Sequence, residues 1–281
     1  MNTKKSTTLA ILIAATLPLS LTGAAFAGPE HNHDHDAMAS DHAAEPTMDA
    51  KAKMVWDKAI EATMSENAKD EWVKSMRMSG VMSIPSQGID AKLNILMATG
   101  QGMYFEMDIP GLGSFEQGVN GDIVWSNNMM EGPKVLDGKQ ATQMLQQMDF
   151  YADLHWDQYF QTISYMGEET ITMPDGTDVK THKLELISLE DGSVSNRFYD
   201  AESGLNVMAS SMIEIAGGAQ VPSTSYNMDF RDVEGMMFPF KTVSSSGPME
   251  QIMTFDSVEV NVDLQDGELE LPEDIKELVE D

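Results

Sequence analysis

The chain has 281 residues, 46 acidic against 17 basic, for a formal charge of −29, and it contains 24 methionines and no cysteine. So acidic a balance excludes nucleic acid as a partner, because phosphate binding needs a basic footprint. The missing cysteine excludes a disulfide framework, a thiolate zinc site, a cysteine nucleophile and a lipid attached to an N-terminal cysteine.

The chain opens with Lys4 and Lys5, an apolar stretch from Thr8 to Leu21 and the small-residue run Ala25-Phe26-Ala27. This is the order of a secretory signal peptide, residues 1–27, with cleavage expected after Ala27. The apolar stretch is too short for a helix of ~20 residues to cross a bilayer. Loss of Lys4 and Lys5 leaves 15 basic against 46 acidic residues, a charge of −31. A soluble, untethered, monomeric protein of the periplasm or another extracytoplasmic space is expected.

Residues 28–47 are His-, Asp-, Ala- and Pro-rich with almost no large apolar side chain, so they cannot bury enough surface to offset their ordering entropy. A disordered leader is expected there, with the folded domain running from 48 to 281. His31, His33, His35 and His42, set among aspartates, form a candidate site for Zn, Ni or Cu. The bland alternative is a charged spacer. No other cofactor is implied.

From Asp49, a plausible N-cap, Ala52, Val55, Trp56, Ala59, Ile60 and Met64 recur at helical spacing. Period-two sequence follows, over Trp72 to Ile84, Ile89 to Ala98, Gly102 to Ile109, Gly113 to Asn120 and Asp122 to Ser126, with Asn120-Gly121 as a hairpin signal. Gly138 to Gln161 changes to a helical pattern. Strand patterning then resumes near Ile163 and persists to Val262, broken by turns such as Asp191-Gly192 and Gly247-Pro248. The expected fold is mainly β: a single curled antiparallel sheet, an unclosed half-barrel of about 11–12 strands, with an N-terminal helix and an inserted helical segment covering its concave face.

Enzyme signatures are missing. Gly132 to Lys139 resembles a phosphate loop, but five residues separate its glycines instead of four, and Gln140 stands where Ser or Thr is needed, so it reads as a surface turn. His155 and His182 are isolated. Only Arg77, Arg197 and Arg231 could form a bidentate clamp, so a phosphate-rich ligand is not expected. The methionines cluster along the early strands, where unbranched thioethers suit either a cavity for flexible acyl chains or ordinary core filling. The candidate groove lining is Met76, Met78, Met82, Leu93, Ile95, Met103, Phe105, Met107 and Trp125.

Five further stretches stand out: Gly118-Val-Asn-Gly121-Asp-Ile-Val-Trp125, Glu131-Gly-Pro-Lys-Val-Leu-Asp-Gly138, Phe198-Tyr-Asp200-Ala-Glu-Ser-Gly204-Leu205, Tyr226 to Pro239, and Phe255 to Asn261 with Leu271-Pro272. In this order they resemble the outer-membrane lipoprotein-sorting, or LolA-like, periplasmic carrier superfamily. The resemblance implies a half-barrel with helices lidding an apolar concave face, and a non-enzymatic carrier or binder of a lipid, acyl chain or lipoprotein. Where the sorting carriers bear an Arg-Pro pair whose arginine locks the lid, this chain reads Ala98-Thr-Gly-Gln-Gly-Met-Tyr104, without arginine. The alternative is a protein-interaction or sensor module on the same fold, with a membrane-associated protein as partner.

Overall fold

The computed structural model describes residues 45–70, 73–129, 131–138, 141, 144–145, 148–215 and 219–280. The expected signal peptide, nearly all of the expected leader and the four leader histidines lie outside them. In chain order the elements are β1 (Thr47–Met48), α1 (Ala50–Thr63), β2 (Ser75–Ile84), β3 (Ile89–Ala98), β4 (Gly102–Ile109), β5 (Gly113–Asn120), β6 (Ile123–Asn128), β7 (Gly132–Leu136), β8 (Phe160–Thr172), β9 (Asp178–Ser188), β10 (Val194–Asp200), β11 (Asn206–Ile215), β12 (Ala219–Val233), β13 (Met236–Ser246), β14 (Met249–Val260) and α2 (Glu273–Glu280).

All fourteen strands join one unclosed sheet, in the order β1-β8-β9-β10-β11-β12-β13-β14-β2-β3-β4-β5-β6-β7. Every pairing is antiparallel except β1 with β8. The half-barrel expected from sequence is therefore present, with two strands more than period-two patterning reveals. One is the two-residue β1. The other is β7, the segment taken for a surface turn, whose Gly-Pro-Lys sequence masks its pairing with β6. The loop between β5 and β6 is Gly121-Asp122, one residue later than the hairpin signal, with Gly121 at φ 57° supplying the left-handed turn.

α1 follows the sequence closely. Asp49 caps it, its Oδ1 accepting from the N–H groups of Lys51 and Ala52, both at 2.9 Å, while Oδ2 accepts from Tyr165 N–H at 2.6 Å and so ties the cap to β8. Ala52, Val55, Trp56 and Ala59 bury one stripe against Ile163, Leu184, Leu186 and Tyr199. Trp56 meets Phe160 and Tyr199 edge-on, at centroid distances of 6.4 and 6.2 Å. Burying an indole this fully contributes roughly 3 kcal/mol.

Strand alternation gives the sheet two chemically different faces. The inner face, towards α1 and the β7–β8 connection, carries Met76, Met78 and Met82 of β2, opposite Met97, Ile95 and Ala91 of β3 respectively, with Leu93 opposite Gly80. The outer face of the same strands carries Arg77, Leu96, Tyr104, Gly118 and Trp125, which lie across from one another in successive pairs. The C-terminal segment crosses this outer face. Arg77 pairs with Glu268 at 3.0 Å, Asn120 Nδ2 donates to Leu269 O at 2.8 Å, and Asn127 Nδ2 donates to Asp274 at 2.9 Å. α2, with Ile275 wholly buried, ends the crossing beside β7. Among the described residues no helix is long and apolar enough to cross a membrane.

Asp49 gives a direct check on the first element. The N–H groups of Ala52 and Tyr165, and that of Lys51, outweigh the cost of its desolvation and hold its carboxyl below the usual range. With the folded-state value depressed, its stabilisation is complete above the unfolded value of about 4 and is lost as pH falls through the folded one. Asp49→Ala is expected to lower unfolding free energy by about 1–2 kcal/mol at pH 7, and Asp49→Asn by less, in urea titrations. The gap between wild type and Asp49→Ala should narrow towards about pH 2. A gap that stays constant with pH would contradict this account of the cap.

Candidate functional site

The strand order decides what lies over the inner face. β7 ends at one edge of the sheet, while β8 lies next to β1 at the other, so the connection between them has to cross from edge to edge. It does so on the inner side. Its described residues Met144, Met148, Phe150 and Tyr151 pack into one cluster with Met76, Met78, Met82, Leu93, Ile95, Met103, Phe105 and Met107, while Ala141 and Leu154 lie against its margin. Tyr151 also accepts at its hydroxyl from Val73 N–H, at 2.9 Å, just ahead of β2. The inserted segment is thus a cover, as the sequence suggested, although its described part after Leu145 is built of turns and a short 3-10 turn, Trp156–Gln158.

Eight of the nine expected lining residues share this inner face: Met76, Met78, Met82, Leu93, Ile95, Met103, Phe105 and Met107, each at most 5 % exposed. Trp125 does not. It points to the outer face, where it is buried beside the half-buried Tyr104 (centroids 6.1 Å apart) across Gly118. Any Cβ at Gly118 would fall 2.7 Å from the indole, so glycine is what lets the ring lie flat on the strand. Val124, its neighbour, faces inward in its place. Methionine predominates on the inner face, with Met97, Met236 and Met253 added to those expected.

The cover is fastened by a polar contact the sequence did not reveal. Asp153 of the covering segment meets Arg197 of β10, Nη1 donating to Oδ1 at 2.8 Å, and Asp153 O accepts from Trp56 Nε1 at 2.8 Å. The Arg197 guanidinium lies 5.2 Å from the Trp56 ring centre and 5.4 Å from that of Phe160. The two charged side chains are 20 % and 12 % exposed. Burial alone would weaken the guanidinium's hold on its proton; the nearby Asp153 charge and Tyr199 more than reverse this, and Arg197 stays charged. Tyr199 is two residues along on the same face, and its hydroxyl, buried beside Arg197, makes no hydrogen bond of acceptable geometry among the described residues. Burial also pushes its ionisation upward, keeping it protonated. The one signal in the sequence was a lone arginine two residues from a tyrosine in an alternating strand. Its partner lies 44 positions away.

The isolated histidines have ordinary neighbours. His155 Nδ1 lies 3.5 Å from Asp149, which also accepts from Tyr151 N–H at 2.8 Å and from the Tyr159 hydroxyl at 3.3 Å. His182 Nδ1 is 3.3 Å from the Tyr165 hydroxyl. Among the described residues no group of three or more His, Asp or Glu side chains is placed to hold a metal ion.

No family model matches the chain. No curated protein matches it in sequence either. Solved structures match it in shape: a DUF1329 family protein from Desulfovibrio piger has a TM-score of 0.53 at 14 % identity, and a LolA superfamily protein from Nitrosomonas europaea 0.51 at 14 %. In each case 78 % of this chain and 97 % of the other are covered. The fold is LolA-like. A third structure, from Vibrio parahaemolyticus and described as an outer membrane lipoprotein-sorting protein domain, has a TM-score of 0.50 at 13 % identity, with the same coverage. At these identities the likeness is one of fold. The stretch from Ala98 to Tyr104, which spans the end of β3, its turn and the start of β4, carries no arginine, and the ion pair between cover and sheet is made from β10.

Cutting this contact should loosen the cover. Arg197→Met leaves the Asp153 carboxylate poorly compensated and is expected to cost about 2–4 kcal/mol in urea unfolding. Hydrogen exchange should show faster exchange across 148–158 than in β9. A change below about 0.5 kcal/mol, within the range of a surface pair, would mean the contact does not fasten the cover.

Proposed function

We propose that this protein is a non-enzymatic extracytoplasmic carrier that shields the acyl chains of a lipid or lipoprotein against the inner face of β2–β6. The observation that carries this reading is the nature of the roof. A wide apolar face is covered by a chain crossing, and not by a second sheet, so it can be uncovered without unpairing a strand. An acyl chain in water exposes apolar surface at about 25 cal/mol per Å², which a dry face removes. The lining suits a flexible guest, because methionine's unbranched thioether refits to irregular shapes at little cost. With the cover down, the lining packs against Met144, Met148, Phe150 and Tyr151; a guest takes the place of those side chains. The leader-like start of the chain supports export, and a carrier needs no covalent chemistry.

Native mass spectrometry of the protein purified from the periplasm is expected to find bound lipid, and a fluorescent acyl probe should be taken up by the delipidated protein. Arg197→Met should take up the probe faster than wild type, since a loosened cover opens more often. Neither co-purified lipid nor probe uptake, in wild type and variant alike, would end the carrier reading.

A further inference from the structure

Arg197 is provided with more than its contact with Asp153 uses. Among the described residues its guanidinium has one hydrogen bond of good geometry, to Asp153 Oδ1, and a looser approach to the Tyr199 oxygen, although the fork presents five N–H donors. Around it are the rings of Trp56 and Phe160, and Leu184 lies across the strand. Beside it the Tyr199 hydroxyl, on a side chain 2 % exposed, is an unused donor. The carboxylate now engaged is not part of the sheet. It belongs to the cover, two residues past Tyr151, which sits in the methionine-lined cluster. On the carrier reading a lifted cover takes Asp153 with it, and a guest that then covers Arg197 without bringing an anion buries a cation lacking its counter-charge, a state that is strongly disfavoured.

We infer that Arg197 and Tyr199 form the headgroup site for a long-chain carboxylate, whose acid group replaces Asp153 at the guanidinium while its chain lies on the inner face. This rests on the carrier reading and names its ligand class. The resident group is itself a carboxylate, held through one oxygen at 2.8 Å, so the position already accepts an anion of this class and leaves donors of the fork for a second oxygen. The exchange is balanced in charge, one carboxylate leaving as another arrives. Tyr199 donates to the second oxygen, which Asp153 leaves unserved. A neutral ester of the same chain brings the same apolar surface but no charge to compensate Arg197.

The test is equilibrium titration of the full protein, near pH 8, with a fluorescent long-chain fatty acid and with its methyl ester, read as the ratio of the two affinities. Wild type is expected to favour the acid by about tenfold or more, the effect of a charge-assisted hydrogen bond. In Arg197→Met the ratio should fall to about one, and in Asp153→Asn, freed of the competing carboxylate, it should rise. Tyr199→Phe should lower it a few-fold. Circular dichroism checks that each variant folds; if Arg197→Met does not, Arg197→Lys keeps the charge without the fork and should retain only part of the preference. A ratio that is the same in wild type and every variant, with both ligands binding, would make Arg197 a latch only and overturn the headgroup site while leaving the carrier intact. Failure of both ligands to bind wild type and Asp153→Asn would instead remove the carrier reading, and this inference with it.

Discussion

The pairing of β14 with β2 is the constraint on which the rest of the structure depends. It places the last strand of the sheet beside the first long one, so two meanders, β2–β7 and β8–β14, fuse side by side instead of end to end. The connection between the meanders must then span the full width of the sheet. The pairing is close: Gly80 of β2 sits where a Cβ would lie 2.1 Å from Thr254 O, and the register shifts by one residue between Phe255 and Ser257. That bulge turns the sheet where its two halves meet, as bulges do.

A cover produced by topology has a particular energetic character. It is not a domain with its own core, and its apolar residues are buried against the sheet and against the residues that lead from α1 into β2. What holds it is therefore the same apolar surface that a guest would take, together with one partly buried ion pair, the Trp56 indole N–H and the Tyr151 hydroxyl. On the carrier reading proposed above, guest and cover compete for one face. Affinity in such an arrangement is the difference between two similar burials, so small polar contacts at the margin decide the balance.

How much of this was legible in the sequence follows from what each element buries. Twelve strands and α1 have one apolar and one polar side, and period or capping revealed them. β7 was hidden by Pro133 and Lys134, which suit a turn as well as an edge. α2 was hidden because Glu-Asp-Ile-Lys-Glu-Leu-Val-Glu buries only Ile275 and reads as acidic tail. Trp125 was placed on the wrong face because Ile123, Val124 and Trp125 are apolar in succession, and three such residues fix no parity; the register with Gly118 does. The contact of Arg197 with Asp153 joins a strand to a segment whose path is set by strand order, which no local pattern encodes.

The two ends of the sheet bear on how such a protein survives at high concentration. An unclosed sheet has free edges, and a free edge is a template for another chain's strand. Here one edge is finished by β1, only two residues long and running parallel to β8, and the other by β7, five residues carrying Pro133 and Lys134. β1 meets β8 only at Thr162 and Ile163, so among the described residues the rest of that strand's outer edge carries no partner strand, whereas β7 is short and interrupted by proline. The β7 edge is therefore a poor template for another chain's strand, and at both edges the mutual repulsion of molecules bearing a charge of −29 opposes association.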